Sequence, residues 1–119
     1  MSKPLVFIVE DDPKLNEIII ITLQKDFELE SYTDGDAAME RLKNIVPDIV
    51  VLDLNLPGAS GKNILKNIRA DERLTKTRVI LATADERQAE TLTEDADIVL
   101  LKPVSPAQLR EMALRMSVV

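Results

Sequence analysis

The chain has 119 residues, of which 45% are hydrophobic and 30% charged, enough for one compact domain and too few for two. Its formal net charge of −6 argues against direct nucleic-acid binding and against an anionic membrane surface. It has no cysteine and no histidine, which excludes disulfides, thiolate chemistry, Cys- or His-held metals, Ser–His catalysis and a phosphohistidine of its own. The start, MSKPLVFIVEDD, holds too short an apolar stretch for a signal peptide. No apolar run is long enough to span a membrane, so the cytoplasm is the expected compartment.

In chain order, Leu5–Val9 (LVFIV) is a continuous apolar run, as expected of a buried parallel strand. It ends in Glu10, Asp11 and Asp12. Asp12 suits a helix N-cap and Pro13 a first helical turn. The helix is expected to run to about Lys25, with Leu15, Ile18, Ile19 and Leu23 on its buried face. Ile20 and Ile21 fall off that face. Phe27–Thr33 alternates and reads as a half-buried edge strand. Asp34-Gly35 is turn chemistry, and a helix over 36–45 follows, with Ala37, Ala38, Leu42 and Ile45 inward. The third strand, 48–53, is an aliphatic run closed by Asp53; Asn55, Pro57 and Gly58 break the pattern. A third helix over 60–72 buries Ile64, Leu65 and Ile68. Arg78–Ala82 is the fourth strand and closes in Thr83. A weak helix over 86–94 has only Ala89 and Leu92 apolar. Asp97–Leu101 is the fifth strand and leads into Lys102-Pro103. The last helix, opened by Ser105-Pro106, carries the stripe Leu109, Met112, Ala113, Met116.

Five strand–helix alternations predict a parallel sheet with right-handed crossovers and helices on both faces. The chain stops after the fifth helix, so residues 1–119 are expected to form one domain without an effector domain. All strands of such a sheet end on one edge. Strand one brings Glu10 and Asp11 there, strand three Asp53, strand four Thr83 and strand five Lys102. Carboxylates gathered on one rim repel unless a cation joins them. Magnesium, with its preference for a few carboxylates, a carbonyl, waters and a phosphoryl oxygen, fits that composition. Lys102 supplies a counter-charge.

VFIVEDDP, VVLDLNLPGASG, ILATA and LLKP, in this order, resemble the receiver domain of bacterial response regulators of the CheY-like superfamily, and the resemblance covers essentially the whole chain. It implies a flavodoxin-like (βα)5 fold of strand order 2-1-3-4-5, with the site at the switch point beside strand one; a member of this family is itself the standard illustration of that rule. It implies that Asp53 accepts a phosphoryl group from a phosphohistidine of a histidine kinase or phosphotransfer domain. Asp11 would ligate Mg2+ directly and Glu10 through water, with Asp53 and the main-chain carbonyl of Asn55 completing the protein ligands; Mn2+ could substitute. Thr83 and Lys102 would contact the phosphoryl group, and Lys102-Pro103 would be cis. No organic cofactor is implied, and the module is expected to signal rather than to turn over a substrate.

The match departs from the family at Val99, where an aromatic switch residue is common, at Asp95 and at Val104. These positions concern output, not phosphorylation. Off-face Ile20 and Ile21, with Leu114 of the last helix, suggest a docking surface for a histidine-containing partner. A homodimer is compatible with the sequence. One competing reading is a receiver-like scaffold that binds partners without phosphorylation. Another, an aspartyl-phosphate phosphatase of the haloacid dehalogenase type, is disfavoured because its nucleophile would open the chain in Asp-x-Asp.

Overall fold

The computed structural model describes residues 3–117; the first two and last two positions of the expected domain lie outside the described residues. Strands β1 (Leu5–Val9), β2 (Glu28–Tyr32), β3 (Ile49–Leu52), β4 (Arg78–Thr83) and β5 (Ile98–Leu101) form one parallel sheet in the order β2-β1-β3-β4-β5. Helices α1 (Pro13–Leu23), α2 (Gly35–Leu42), α3 (Gly61–Ala70), α4 (Glu86–Glu90) and α5 (Pro106–Ser117) alternate with them. The expected flavodoxin-like topology is the one found.

Alternation along each strand divides the core in two. Val6, Ile8, Ile49, Val51, Ile80, Ala82 and Leu100 meet Ile19 and Leu23 of α1 and Leu109 and Ala113 of α5. Phe7, Val9, Val50, Leu52, Val79 and Leu81 meet Ala38 and Leu42 of α2, Ile64, Leu65 and Ile68 of α3, and Leu92 after α4. All four residues of β3 are buried, as its unbroken aliphatic run requires. β2 is the edge strand expected, its residues exposed or half-buried.

Several expectations need correction. Ile18, read as inward, is 45% exposed. The buried residues of α1 are Asn16, Ile19 and Leu23, at i, i+3 and i+7, so the helix is rotated from the predicted face. Ile20 is half-buried against the core, and of the expected docking pair only Ile21 stands out in solvent. Ala37 is exposed rather than inward. α3 stops at Ala70 because Asp71 breaks away to cap the 3-10 turn Glu72–Leu74, accepting the Arg73 N–H at 3.0 Å. α4 is shorter than the predicted 86–94. Thr91 and Thr93 donate their hydroxyls back to the carbonyls of Gln88 and Glu90, and turns replace further helix.

Candidate functional site

The C-terminal ends of β1 and β3 lie side by side at the centre of the sheet. The ladder between them extends one residue beyond β3, because the Asp53 N–H donates to the Val9 carbonyl at 3.0 Å. On the other side of β1, the Glu10 N–H donates to the Tyr32 carbonyl at 3.0 Å. Glu10 and Asp53 are therefore held as the next rungs of a parallel ladder. The two residues are 1% and 4% exposed, a depth at which carboxylates are rare unless paired.

The chain then turns. Glu10 Oε2 accepts the Asp12 N–H at 3.1 Å, and Asp12 caps α1 by accepting the Lys14 N–H at 3.0 Å. The exposed Asp11 sits between these two fixed residues. The turn places it so that one carboxylate oxygen each from Glu10, Asp11 and Asp53 lies within 4.8 Å of the others. The predicted convergence of these three acids is thus a feature of the geometry.

Lys102, at the end of β5, reaches across to the same point. Its N–H continues the β4–β5 ladder by donating to the Thr83 carbonyl at 2.9 Å, and the peptide bond to Pro103 is cis. Lys102 Nζ donates to Asp53 Oδ2 at 3.1 Å and lies 2.8 Å from Glu10 Oε1. The Lys102 ammonium is thus shared between two buried carboxylates, and no other donor reaches Glu10 Oε1 among the described residues. Burial pushes the Glu10 carboxyl above its usual range, against the pull of the Lys102 ammonium and the Asp12 N–H; the charge of Asp53 adds to the rise. Burial works against the Lys102 ammonium too, but its contacts with Glu10 and Asp53 outweigh that and hold its pKa above the usual value.

Thr83, the last residue of β4, is fully buried, and its Oγ1 accepts the Asp85 N–H at 3.1 Å. The Asn55 N–H donates to Asp53 Oδ1 at 3.3 Å, folding the loop back on the acid it follows. Ile20, Ile21 and Leu114 are not part of this edge; Ile20 and Leu114 pack on the α1/α5 side of the sheet. Val99 packs with the core on the α2/α3 side.

A divalent cation fits these residues on two counts. One buried carboxylate oxygen, Glu10 Oε1, is reached only by an ammonium that Asp53 also holds, and three hard oxygen donors lie within 4.8 Å of one another with that one ammonium against them among the described residues. Magnesium takes such all-oxygen sets.

Two contributions go beyond the sequence reading, which took Gly35 and Gly58 only as turn residues. The chain has three glycines, and all three bear on the loop after Asp53. A Cβ on Gly61 would collide with the Asp53 carbonyl oxygen, and one on Gly35 with that of Ala59; Gly58 adopts a φ of 77°. Asn16 is the other. It is a polar residue 5% exposed on the buried face of α1, and its Nδ2 donates to the carbonyls of Glu10 and Tyr32 at 2.9 and 3.3 Å. Its signal was a polar residue one turn before Ile19 on an otherwise apolar helix face.

Comparison with known proteins agrees with this geometry. The family model for the response regulator receiver domain matches residues 6–114. The chain is 32% identical over 108 residues to the DNA-binding response regulator MtrA of Mycolicibacterium smegmatis, covering 87% of this chain and 46% of that protein. It is 30% identical over 108 residues to the phosphate regulon transcriptional regulatory protein PhoB of Escherichia coli, covering 87% and 47%. It thus spans about half the length of these relatives. It also resembles the BeF3-activated DrrB receiver domain, with a TM-score of 0.87, 25% identity and 98% of both chains covered. The response regulator TrrA of Thermotoga maritima, in complex with Mg2+-BeF, superposes with a TM-score of 0.84 at 25% identity, covering 98% of this chain and 99% of that one. Sequence match, topology and the acids gathered beside β1 agree: the chain belongs to the response regulator receiver domain family of two-component signalling systems.

Proposed function

We propose that Asp53 accepts a phosphoryl group from the phosphohistidine of a partner kinase or phosphotransfer domain, in a Mg2+-dependent reaction, and that the resulting acyl phosphate changes which partner the domain binds. The observation that carries this reading is the sharing of one ammonium, Lys102, between two buried carboxylates, with a third carboxylate oxygen within 4.8 Å of both. An Asp53 carboxylate oxygen attacks phosphorus and forms the P–O bond. The P–N bond to the imidazole breaks, and its electron pair stays on the leaving nitrogen. When bound, Mg2+ supplies the charge neutralisation that lets one anion approach another. Glu10, Asp11, Asp53 and the Asn55 carbonyl would hold it. Mn2+, also a hard oxygen-seeking ion, would substitute. TrrA, a relative in fold, was solved with Mg2+-BeF. Lys102 keeps the nucleophile oriented, and the Thr83 hydroxyl, which already accepts the Asp85 N–H, is left its proton to donate to a phosphoryl oxygen.

The product is a mixed anhydride and hydrolyses, so the domain works as a timed signal in the cytoplasm, not as a turnover catalyst. The exposed part of the docking surface read from Ile20, Ile21 and Leu114 is Ile21, joined by Ile18 one turn away.

Incubation with acetyl phosphate tests the reading. A mass gain of one phosphoryl group is expected with Mg2+, none with a chelator, and none in Asp53→Asn with Mg2+. An unmodified wild-type protein in the presence of Mg2+ and donor would overturn it and leave the phosphorylation-independent scaffold. Sustained hydrolysis of unrelated phosphomonoesters would instead favour the phosphatase.

A further inference from the structure

Asn16 is a buried polar residue whose role the proposed reaction does not use. It lies on the core face of α1 with Ile19 and Leu23, where an aliphatic side chain would contribute packing without needing a partner. Its neighbours explain the amide. Beyond Val9 the sheet runs out, and the Glu10 carbonyl has no further strand to pair with. Asn16 Nδ2 supplies the missing donor at 2.9 Å, and its other hydrogen points to the Tyr32 carbonyl at 3.3 Å. Two carbonyls facing the same group fix the amide orientation, because only the NH2 end donates. The Asn16 N–H meanwhile donates to the Asp12 carbonyl at 2.9 Å. A single residue therefore grips both ends of the Glu10–Asp12 turn, once by side chain and once by main chain. The acid pair lies within that turn.

We propose that Asn16 is the positioning residue of the acid pair: by holding the Glu10 carbonyl it sets the directions in which Glu10 and Asp11 present their oxygens to Asp53. The inference rests on the reading that these acids hold a divalent cation. Groups that orient metal ligands without touching the ion commonly cost tenfold or more in affinity when removed. In Asn16→Leu, a near-isosteric change, the Glu10 carbonyl is left buried without its donor. The turn relaxes, and the three oxygens no longer face a common point before the ion arrives.

The test is Mn2+ affinity, measured on the whole chain by electron paramagnetic resonance titration, for wild type, Asn16→Leu and a control, Ile19→Ala. Ile19 shares the helix face and is 1% exposed, so its truncation destabilises the fold without touching the Glu10 carbonyl. Asn16→Leu is expected to weaken Mn2+ binding about tenfold and Ile19→Ala to leave it unchanged. Phosphorylation of Asn16→Leu by acetyl phosphate should need correspondingly more metal but recover at saturation. If Asn16→Leu does not fold, Asn16→Ala is compared with Ile19→Ala instead. Equal affinities for wild type and the Asn16 variant, or equal losses in the variant and the Ile19 control, would overturn the positioning role. Absence of Mn2+ binding by the wild type would overturn the cation reading itself.

Discussion

Glu10 shows how a single side chain can be unfavourable to the fold and still suit a site. Its carboxyl is buried, stands near Asp53 and shares the Lys102 ammonium with it. A residue chosen for stability alone would not be an acid there. The surrounding backbone is built to hold such residues tightly, and Gly61 is the clearest case. It is the first residue of α3, packed directly on the Asp53 carbonyl. Gly61→Ala should destabilise the protein by about 3 kcal/mol, since backbone on both sides must move to admit the methyl group. Urea denaturation would measure it. The loop carrying Asn55 should also open, seen as faster amide exchange from residue 54 to 60. These residue-scale features divided sharply in legibility. Glu10, Asp11, Asp53, Thr83 and Lys102 were readable because buried parallel strands are continuous apolar runs, and the polar residue that ends each run marks the sheet edge. Gly35 and Gly58 were legible as turn residues, but Gly61 and Asn16 were not, because their work is close approach and carbonyl capture. Neither leaves a periodic signal.

At the scale of elements, α1 was the most ambiguous in the sequence. Ile18 to Ile21 are four consecutive isoleucines, so hydrophobicity alone cannot orient the helix. In the structure Asn16 joins Ile19 and Leu23 on the buried face, its amide meeting the Glu10 and Tyr32 carbonyls, and Ile18 faces outward. Ile18 and Ile21, 45% and 59% exposed, are thereby left on one solvent-facing turn. The double variant Ile18→Lys, Ile21→Glu should change stability by no more than about 0.5 kcal/mol. It should leave labelling by acetyl phosphate intact and slow transfer from a phosphohistidine-bearing partner. Single-turnover transfer assays would show this; an unchanged rate would remove α1 as the docking face. α4 was overextended for a related reason. Its two apolar positions were visible, but the threonine hydroxyls that divert the backbone after Glu90 compete with the helix locally.

At the scale of the whole molecule, the two apolar clusters on opposite faces of the sheet stabilise a frame whose edge is electrostatically strained. Anything that binds the folded edge and not the unfolded chain should add stability by mass action. Mg2+ at about a hundred times its Kd should contribute about 2.7 kcal/mol, a rise in Tm of about 10 °C for a domain of this size. A calorimetric scan with and without Mg2+ would measure the rise, and Asp11→Ala should abolish most of it. The parallel α/β class followed from strand–helix alternation and crossover chirality, whereas the strand order β2-β1-β3-β4-β5 was implied by the motif resemblance, because alternation alone does not say on which side of β1 each later strand is added.

One ammonium stands between two acids, 2.8 Å from Glu10 Oε1 and 3.1 Å from Asp53 Oδ2. It cannot lean toward either without loosening its hold on the other. On the proposed reading, a group that drew Lys102 toward Asp53 would leave Glu10 in want of a different positive charge, and a cation held beside Glu10 would free Lys102 to follow that group. Thermodynamic reciprocity would then make each of the two a promoter of the other by the same factor.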